Sequence, residues 1–180
     1  MGGGDRIVTP YEGSGARRWD PAAPVDAPLA LHGTRVPAAW VDYNGHMSES
    51  CYLLVVGDNA DAFFRYIGIG EAYRAAGHSL YTVETHLRHL GEAAEGEPLR
   101  LTLQVLDHDA KRVHIWHAIH QAETRNLLAT AEQMLLHVDS GAGRTAPMPD
   151  EQQARLRAIA AAHAGLGRPD GAGRSIGIPR

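Results

Sequence analysis

The 180-residue chain is 44% hydrophobic and 21% charged, which suits one globular domain and excludes a wholly disordered protein. Its 17 lysine and arginine residues against 21 acids give a net charge of −4, which argues against a strongly basic nucleic-acid-binding protein. No apolar run reaches the roughly 18 residues that a membrane-spanning helix needs. We therefore expect neither nucleic acid nor membrane among its partners.

Cysteine usage and the first residues favour the cytoplasm. Cys51 is the only cysteine, so the chain can form no internal disulfide and no Cys-x-x-Cys metal site. Residues 1–5 hold no apolar stretch of the kind found in secretory signals. We expect a cytoplasmic protein.

Composition divides the chain into three parts. Residues 1–30 are rich in Pro, Gly and Ala and predict a leader that is a linker or a strap on the surface. Residues 31–140 carry the regular hydrophobic patterns of one domain. Residues 141–180 predict a short amphipathic helix over 151–164, packed outside the sheet or on a neighbouring subunit. A Gly- and Arg-rich tail follows it, which we expect to be mobile unless a partner holds it.

Hydrophobic periodicity in the middle part predicts one strand, a long helix and four more strands. Apolar residues three and four positions apart over 50–67 predict a helix with one buried face, and Gly68 predicts its end. One more helical turn is predicted over 71–76. Strands are predicted over 29–36, 80–90, 99–105, 112–120 and 127–138. The fold class is therefore α+β, a long central helix wrapped by an antiparallel sheet of about five strands.

The segment 40–46, between the first strand and the long helix, is the candidate for chemistry. Asp42 can activate water as a general base or attack a carbonyl carbon directly. Backbone N–H groups at the helix N-terminus can hold the oxyanion, and Gly45 allows a close backbone approach. His46 can bind the carbonyl oxygen or orient Asp42. The alternative for Asp42 is a purely structural role as a turn or helix cap.

This segment resembles the motif of the hotdog-fold acyl-CoA thioesterases, the 4-hydroxybenzoyl-CoA thioesterase-like family. That motif is an Asp, two or three residues, Gly-His, and a Tyr early in the following helix. The residues that match are Asp42, Asn44, Gly45, His46 and Tyr52, and residues 96–99 match the family's Gly-Asp-x-Leu before its third strand. The resemblance implies the hotdog fold, thioester hydrolysis without a cofactor or metal, and a dimer or tetramer with active sites between subunits.

Three longer segments resemble one branch of this family, the betainyl-CoA thioesterases of bacterial carnitine breakdown. These segments are 40–47, 81–86 and 132–139. The resemblance implies hydrolysis of betainyl-CoA to glycine betaine and CoA, and an association with carnitine dehydrogenase. Two alternatives stay open. The protein is a thioesterase for another small acyl-CoA, or it is a non-catalytic domain that binds an acyl-CoA or a quaternary ammonium. A hotdog enoyl-CoA hydratase is disfavoured because its Asp-x-Asn-Pro-x-His arrangement is incomplete here.

Aromatic residues suggest how a trimethylammonium group would be held. Trp40 and Tyr43 flank Asp42, and aromatic faces bind such cations well. Tyr81 and Trp116, from strands, are further candidates, and Glu84 would add a negative charge beside the cation. The alternative is that these aromatic residues belong to the core.

Basic side chains are candidates for CoA binding, and three histidines are candidates for a metal site. Arg88 and Arg112 are the candidates for the CoA phosphates. His114, His117 and His120 resemble a metal motif by spacing. On a strand, however, His117 points away from the other two, so we expect no metal site.

Overall fold

The computed structural model describes residues 7–13 and 15–178. Its helices are α1 (Glu49–Tyr66), α2 (Glu71–Ala75) and α3 (Asp150–His163). Its strands are β1 (Leu29–Arg35), β2 (His78–His89), β3 (Pro98–His108), β4 (Arg112–Gln121), β5 (Leu127–Asp139) and the short β6 (Arg144–Thr145). The predicted order of elements is confirmed, and β6 is the one strand that periodicity did not indicate. No helix in the described part of the chain is long and apolar enough to cross a membrane.

The strands form one antiparallel sheet in the order β1-β3-β4-β5-β2, with β6 paired to β5. Residues 109–111 connect β3 to β4, and residues 122–126 connect β4 to β5. The sheet curves around α1, which confirms the α+β class and the hotdog architecture. A register shift near Val83 in β2 marks a bulge there, and β2 pairs with β5 only.

The core lies between α1 and the concave face of the sheet. Val55, Val56 and Phe63 of α1 are fully buried, as are Leu101 and Ile115 of the facing strands. Burial of such side chains is the main favourable contribution to folding, at about 1.5–3 kcal/mol each. The helix ends at Gly68, whose φ of +92° is the left-handed conformation that glycine adopts readily.

Helix α3 packs against β3, where the Val105 N–H donates to Nδ1 of His163 at 3.0 Å. Its Leu156 and Ile159 are fully buried in the same cluster as Phe63 and Ile67 at the end of α1. Amphipathicity showed that one face of α3 is apolar, but could not show which surface covers it. The tertiary contact that decides this is nonlocal.

The leader is a strap over α1 and β1. The Tyr11 hydroxyl donates to the carbonyl of Leu31 at 3.0 Å and lies 2.8 Å from His32 Nδ1. Trp19 packs edge-on against Tyr66 at 5.3 Å between ring centroids. The leader therefore belongs to the packed body of the protein rather than acting as a free linker.

The C-terminal tail crosses the convex face of the sheet. Gln104, Trp116 and Glu132 are neighbours across β3, β4 and β5. The Gln104 amide donates to the Gly167 carbonyl at 2.8 Å, and the Gly173 N–H donates to the Glu132 carboxylate at 2.7 Å. The tail thus runs directly over Trp116, which is only 6% exposed. Contacts within the chain hold this segment without a partner.

Candidate active site

The segment before α1 folds as a tight turn closed by its own backbone. The Gly45 N–H donates to the Asp42 carbonyl at 2.9 Å, and the Asp42 N–H donates to the His46 carbonyl at 3.0 Å. Gly45 has a φ of +81°, which L side chains rarely adopt. Asp at the first and Gly at the fourth position of a turn is a common preference. The local sequence therefore explains the turn without reference to function.

The Asp42 carboxylate has one oxygen bound within the turn. Its Oδ1 accepts the Asn44 N–H at 2.8 Å, an Asx turn. The described residues supply no hydrogen bond to Oδ2, and the side chain is only half-buried. The structural role and the proposed chemical role of Asp42 are thus compatible, because each uses a different oxygen. Asn44 contributes to this turn through its backbone N–H.

His46 faces an acid that the sequence did not indicate. Its Nε2 lies 3.4 Å from Oε2 of Glu92, in the loop after β2. The Met47 N–H donates to the Ala93 carbonyl at 2.8 Å and holds the two loops together. Glu92 is distant from His46 in the chain, so local spacing held no sign of this pair.

The first turn of α1 has free backbone donors beside the Asp42 turn. Ser48 is the N-cap residue, and its side chain makes no capping hydrogen bond. The N–H groups at the start of a helix lack partners within the helix and attract negative charge. Tyr52, one turn further along, is buried, and its hydroxyl donates to the Gly91 carbonyl at 3.2 Å. The motif tyrosine therefore fixes the helix start against the loop that carries Glu92.

The two aromatic residues beside Asp42 have different surroundings. Trp40 is half-buried against a core cluster that contains Val36 and Met47. Tyr43, at the tip of the turn, is 97% exposed. Within one chain, Tyr43 forms no wall of a pocket.

The remaining predicted ligand-binding residues lie on the convex face of the sheet. These are Tyr81, Glu84, Arg88, Arg112 and Trp116. His117 of β4 contacts α1, so its neighbour Trp116 points the other way, and register places Glu84 on the same convex side. One chain does not bring these residues together with the Asp42 turn.

Both arginines proposed for CoA already have partners within the chain. Arg88 donates to the Asp170 carbonyl at 3.4 Å. Arg112 forms an ion pair with Asp109, and this hydrogen-bonded pair lowers the pKa of Asp109 to about 2. Their role in CoA binding stays a prediction.

A cleft lies beneath the tail on this convex face, with a volume of about 380 Å³. Its walls include Glu84, Glu132, His114 and Arg174. His114 Nε2 lies 2.7 Å from Glu132 Oε1. Among the described residues, no group of three or more His, Cys, Asp or Glu side chains is placed to hold a metal ion.

A line of buried polar side chains crosses the core and was missed by sequence reasoning. Asn59 of α1 contacts His117 of β4, which contacts Gln133 of β5, which contacts Thr85 of β2. Burial lowers the pKa of His117 to about 4, so the imidazole is neutral at pH 7. In the sequence each of these residues looks like an isolated polar position in an apolar pattern.

A second polar group lies on the flank of α1 beneath the strap. Burial, with a smaller contribution from the neighbouring Asp61, raises the pKa of Asp58 to about 6. Asp61 is bound by Arg65 at 3.0 Å and by the Thr9 hydroxyl. Among the described residues Asp58 has no such partner, and its pKa is the one that burial raises.

A family profile described as "Thioesterase-like superfamily" matches residues 36–156. The chain belongs to the thioesterase-like superfamily. This thioesterase-like chain is 50% identical over 184 positions to the "L-carnitine dehydrogenase/betainyl-CoA thioesterase" of Rhizobium meliloti, which covers 99% of the chain and 36% of that relative. It is 45% identical over 152 positions to the "Betainyl-CoA thioesterase" of Pseudomonas aeruginosa, which covers 84% of the chain and 96% of that protein.

A solved structure shares this fold. SAV2348 from Staphylococcus aureus, in complex with CoA, superposes with a TM-score of 0.78 at 22% identity, covering 87% of this chain and 100% of that one. The thioesterase-like chain spans only 36% of the length of the Rhizobium relative that carries two activities in its name. The resemblance drawn from the Asp42 motif is confirmed at the level of family and fold.

Proposed function

We propose that the protein hydrolyses an acyl-CoA thioester and that Asp42 carries the chemistry. The observation behind this is the geometry of the Asp42 turn. One carboxylate oxygen is held by the Asn44 N–H, which leaves the other for the reaction, and the uncapped start of α1 follows directly. A base and a group of oxyanion donors therefore come from one short segment.

Two routes use the same residues. In the first, Asp42 takes a proton from water, the hydroxide oxygen bonds to the thioester carbon, and the carbonyl electrons move onto oxygen. Collapse breaks the C–S bond and releases the CoA thiolate, which is then protonated. In the second, the Asp42 carboxylate bonds to that carbon and expels the thiolate, and water hydrolyses the resulting anhydride. In both, the proposed oxyanion donors are the N–H groups of Glu49 and Ser50, and the proposed role of His46 is to bind the carbonyl or orient Asp42.

The proposed acyl group is betainyl. The names of the Rhizobium and Pseudomonas relatives support this, because both contain betainyl-CoA thioesterase. Trp40 and Tyr43 flank the proposed base, and each aromatic contact to a desolvated trimethylammonium is worth about 0.5–2 kcal/mol. Tyr81, Glu84 and Trp116 stay as more distant candidates for the cation.

We propose that the working unit is a homodimer or a homotetramer. The outer edge of β2 pairs with no other strand in the described ranges, and unpaired edges associate readily. Tyr81 and Val83 on β2 are about half exposed, at 52% and 54%. The Asp42 turn is open on one side, so a second copy would enclose the substrate there. The compound name of the Rhizobium relative supports an association with a carnitine dehydrogenase.

The test is thiol release from betainyl-CoA, compared with the neutral analogue in which a tert-butyl group replaces trimethylammonium. We expect kcat/KM to be about 10- to 1000-fold higher for the charged substrate, since one or two cation–π contacts distinguish the two. Trp40→Leu should shrink that ratio and leave slow hydrolysis of the neutral thioester intact. Equal kcat/KM for both substrates would contradict the cation site. Binding of betainyl-CoA without any thiol release would favour a non-catalytic binding domain.

A further inference from the structure

The buried polar line through the core ends at the surface on β2. Asn59 Nδ2 lies 2.8 Å from His117 Nδ1, and His117 Nε2 lies 3.1 Å from Gln133 Oε1. The Gln133 Nε2 group donates to Thr85 Oγ1 at 3.1 Å. Asn59 and His117 are fully buried, Gln133 is 4% exposed, and Thr85 is exposed.

These hydrogen bonds all run in one direction. The Asn59 amide donates to His117 Nδ1, so the imidazole proton is on Nε2, which donates to Gln133. Gln133 in turn donates to the Thr85 hydroxyl oxygen. Since that oxygen accepts from inside the protein, the Thr85 O–H is left to donate outward. The reverse orientation would leave the buried Asn59 amide nitrogen without a partner, and unpaired buried N–H groups are rare.

This arrangement has a cost that stability alone does not explain. Three polar side chains occupy the middle of an apolar core, where hydrophobic residues of similar volume would often serve as well or better. The Asn59 Oδ1 atom is buried without a partner. The effect of these buried hydrogen bonds is to fix the orientation of one surface hydroxyl, that of Thr85.

Thr85 is exposed on the face of β2 that is directed toward α1. It lies on the concave side of the sheet, since it pairs with Gln133 and both face α1. On the helix, Leu53 is 48% exposed, and a Cβ added to Gly57 would meet open space. At the end of β2, Tyr52 packs edge-on against His89 at 4.9 Å between ring centroids, and Glu92 in the following loop lies 3.4 Å from His46. From Tyr52 to Asn59 the helix rises about 10 Å.

We propose that Thr85 binds the substrate by donating a hydrogen bond to a carbonyl oxygen of the acyl-CoA, with Asn59, His117 and Gln133 as positioning residues for its hydroxyl. This rests on the proposed function. An acyl-CoA offers two kinds of carbonyl, the thioester itself and the amides of the pantetheine arm.

The test compares Thr85→Val and Thr85→Ser with Thr82→Val as the matched control. Thr82 lies on the same face of the same strand, is also exposed and receives no hydrogen bond from the buried chain. Loss of one neutral hydrogen bond should lower kcat/KM by about 3- to 10-fold in Thr85→Val. Thr85→Ser keeps the hydroxyl and should stay within about twofold of wild type, as should Thr82→Val.

A second substrate separates the two carbonyls. The betainyl thioester of a simple alkanethiol has no pantetheine amides. If the loss in Thr85→Val appears with both substrates, the hydroxyl binds the thioester carbonyl. If it appears with betainyl-CoA alone, and CoA affinity measured by calorimetry falls in parallel, the hydroxyl binds a pantetheine amide.

The positioning role is tested through Gln133→Met alone and together with Thr85→Val. Gln133→Met should reduce kcat/KM like Thr85→Val, and the double variant should be no worse than either, because both changes remove one interaction. Unchanged turnover and CoA affinity in Thr85→Val would overturn the inference. Failure of the proposed function would look different, because the wild-type protein would then release no thiol. The affinity comparison would still decide whether Thr85 binds CoA.

Discussion

The buried carboxylate of Asp58 should lower the free energy of unfolding at neutral pH, because it is ionised there at a cost. In the folded protein its pKa is raised from 3.8 to about 6, and the side chain is 9% exposed. Between these two values the folded state binds more protons than the unfolded state, so stability falls as pH rises. The penalty is absent below pH 4 and complete above pH 6. About two pKa units correspond to about 3 kcal/mol.

His117 acts in the opposite direction over nearly the same range. Its pKa is lowered from 6.5 to about 4, so the unfolded state binds the extra proton and stability falls as pH decreases through that interval. His117 therefore has no destabilising effect above pH 6.5, and the free energy of unfolding falls as the pH decreases from 6.5 towards 4. In the wild-type protein the two effects should largely cancel between pH 4 and 6.

Asp58→Asn separates the two effects. The variant keeps the shape and removes the charge, so at pH 8 it should raise the free energy of unfolding by about 2–3 kcal/mol. At pH 4 the gain should vanish, because wild-type Asp58 is then largely protonated. The free energy of unfolding of the variant should also fall steeply from pH 6.5 to 4, because the pH effect of Asp58 no longer cancels that of His117.

The measurement is urea unfolding of wild type and Asp58→Asn at pH 4, 5, 6, 7 and 8. The exposed tail variant Asp170→Asn is the control and should track wild type throughout. Other imidazoles with lowered pKa are common to all three proteins and cancel in the differences. A stabilisation of equal size at every pH, or none at pH 8, would show that Asp58 is not ionised against a burial penalty.

Three further outcomes are expected. Asp42→Asn should cut thiol release by about 100-fold or more, and near-full turnover of this variant would refute the mechanism. Its melting temperature should be unchanged, because the amide oxygen still accepts the Asn44 N–H. Asp42→Ala loses that hydrogen bond and should also destabilise the turn by roughly 1 kcal/mol. Sedimentation should give at least twice the 19.4 kDa chain mass, and an active monomer would contradict the dimer. Truncation after Leu166 should expose Trp116 and shift its fluorescence to longer wavelength, whereas an unshifted spectrum would mean that the tail does not cover it.

Periodicity predicted the elements of this fold well because α1 and the strands each bury one face. Apolar residues three and four positions apart around Phe63 indicate a helix, and alternating apolar residues around Leu101 indicate a strand. Both patterns can be read from one segment of sequence alone. The Asp42 turn was also predictable, since Asp and Gly at fixed turn positions act within a few residues.

The parts that sequence reasoning missed depend on contacts between distant segments. The covering of Trp116 by the tail, the packing of α3 on β3 and the pairing of Glu92 with His46 all join residues far apart in the chain. The hydrogen-bonded line through His117 is the clearest case, because its four members come from four elements. No spacing rule could relate them before the sheet order was known.

The two edges of the sheet are unequal, and this limits how copies can assemble. At β1 the Tyr11 hydroxyl of the strap donates to the Leu31 carbonyl, whereas within the described residues the outer side of β2 pairs with no strand. A sheet that can extend from only one edge cannot form a filament, because joining two unpaired edges leaves neither of them free. If two copies join through β2, the association would therefore be self-limiting and two-fold symmetric, whereas a second unpaired edge would allow open filaments. Tyr11→Phe, which frees the Leu31 carbonyl, is the substitution that would weaken this protection.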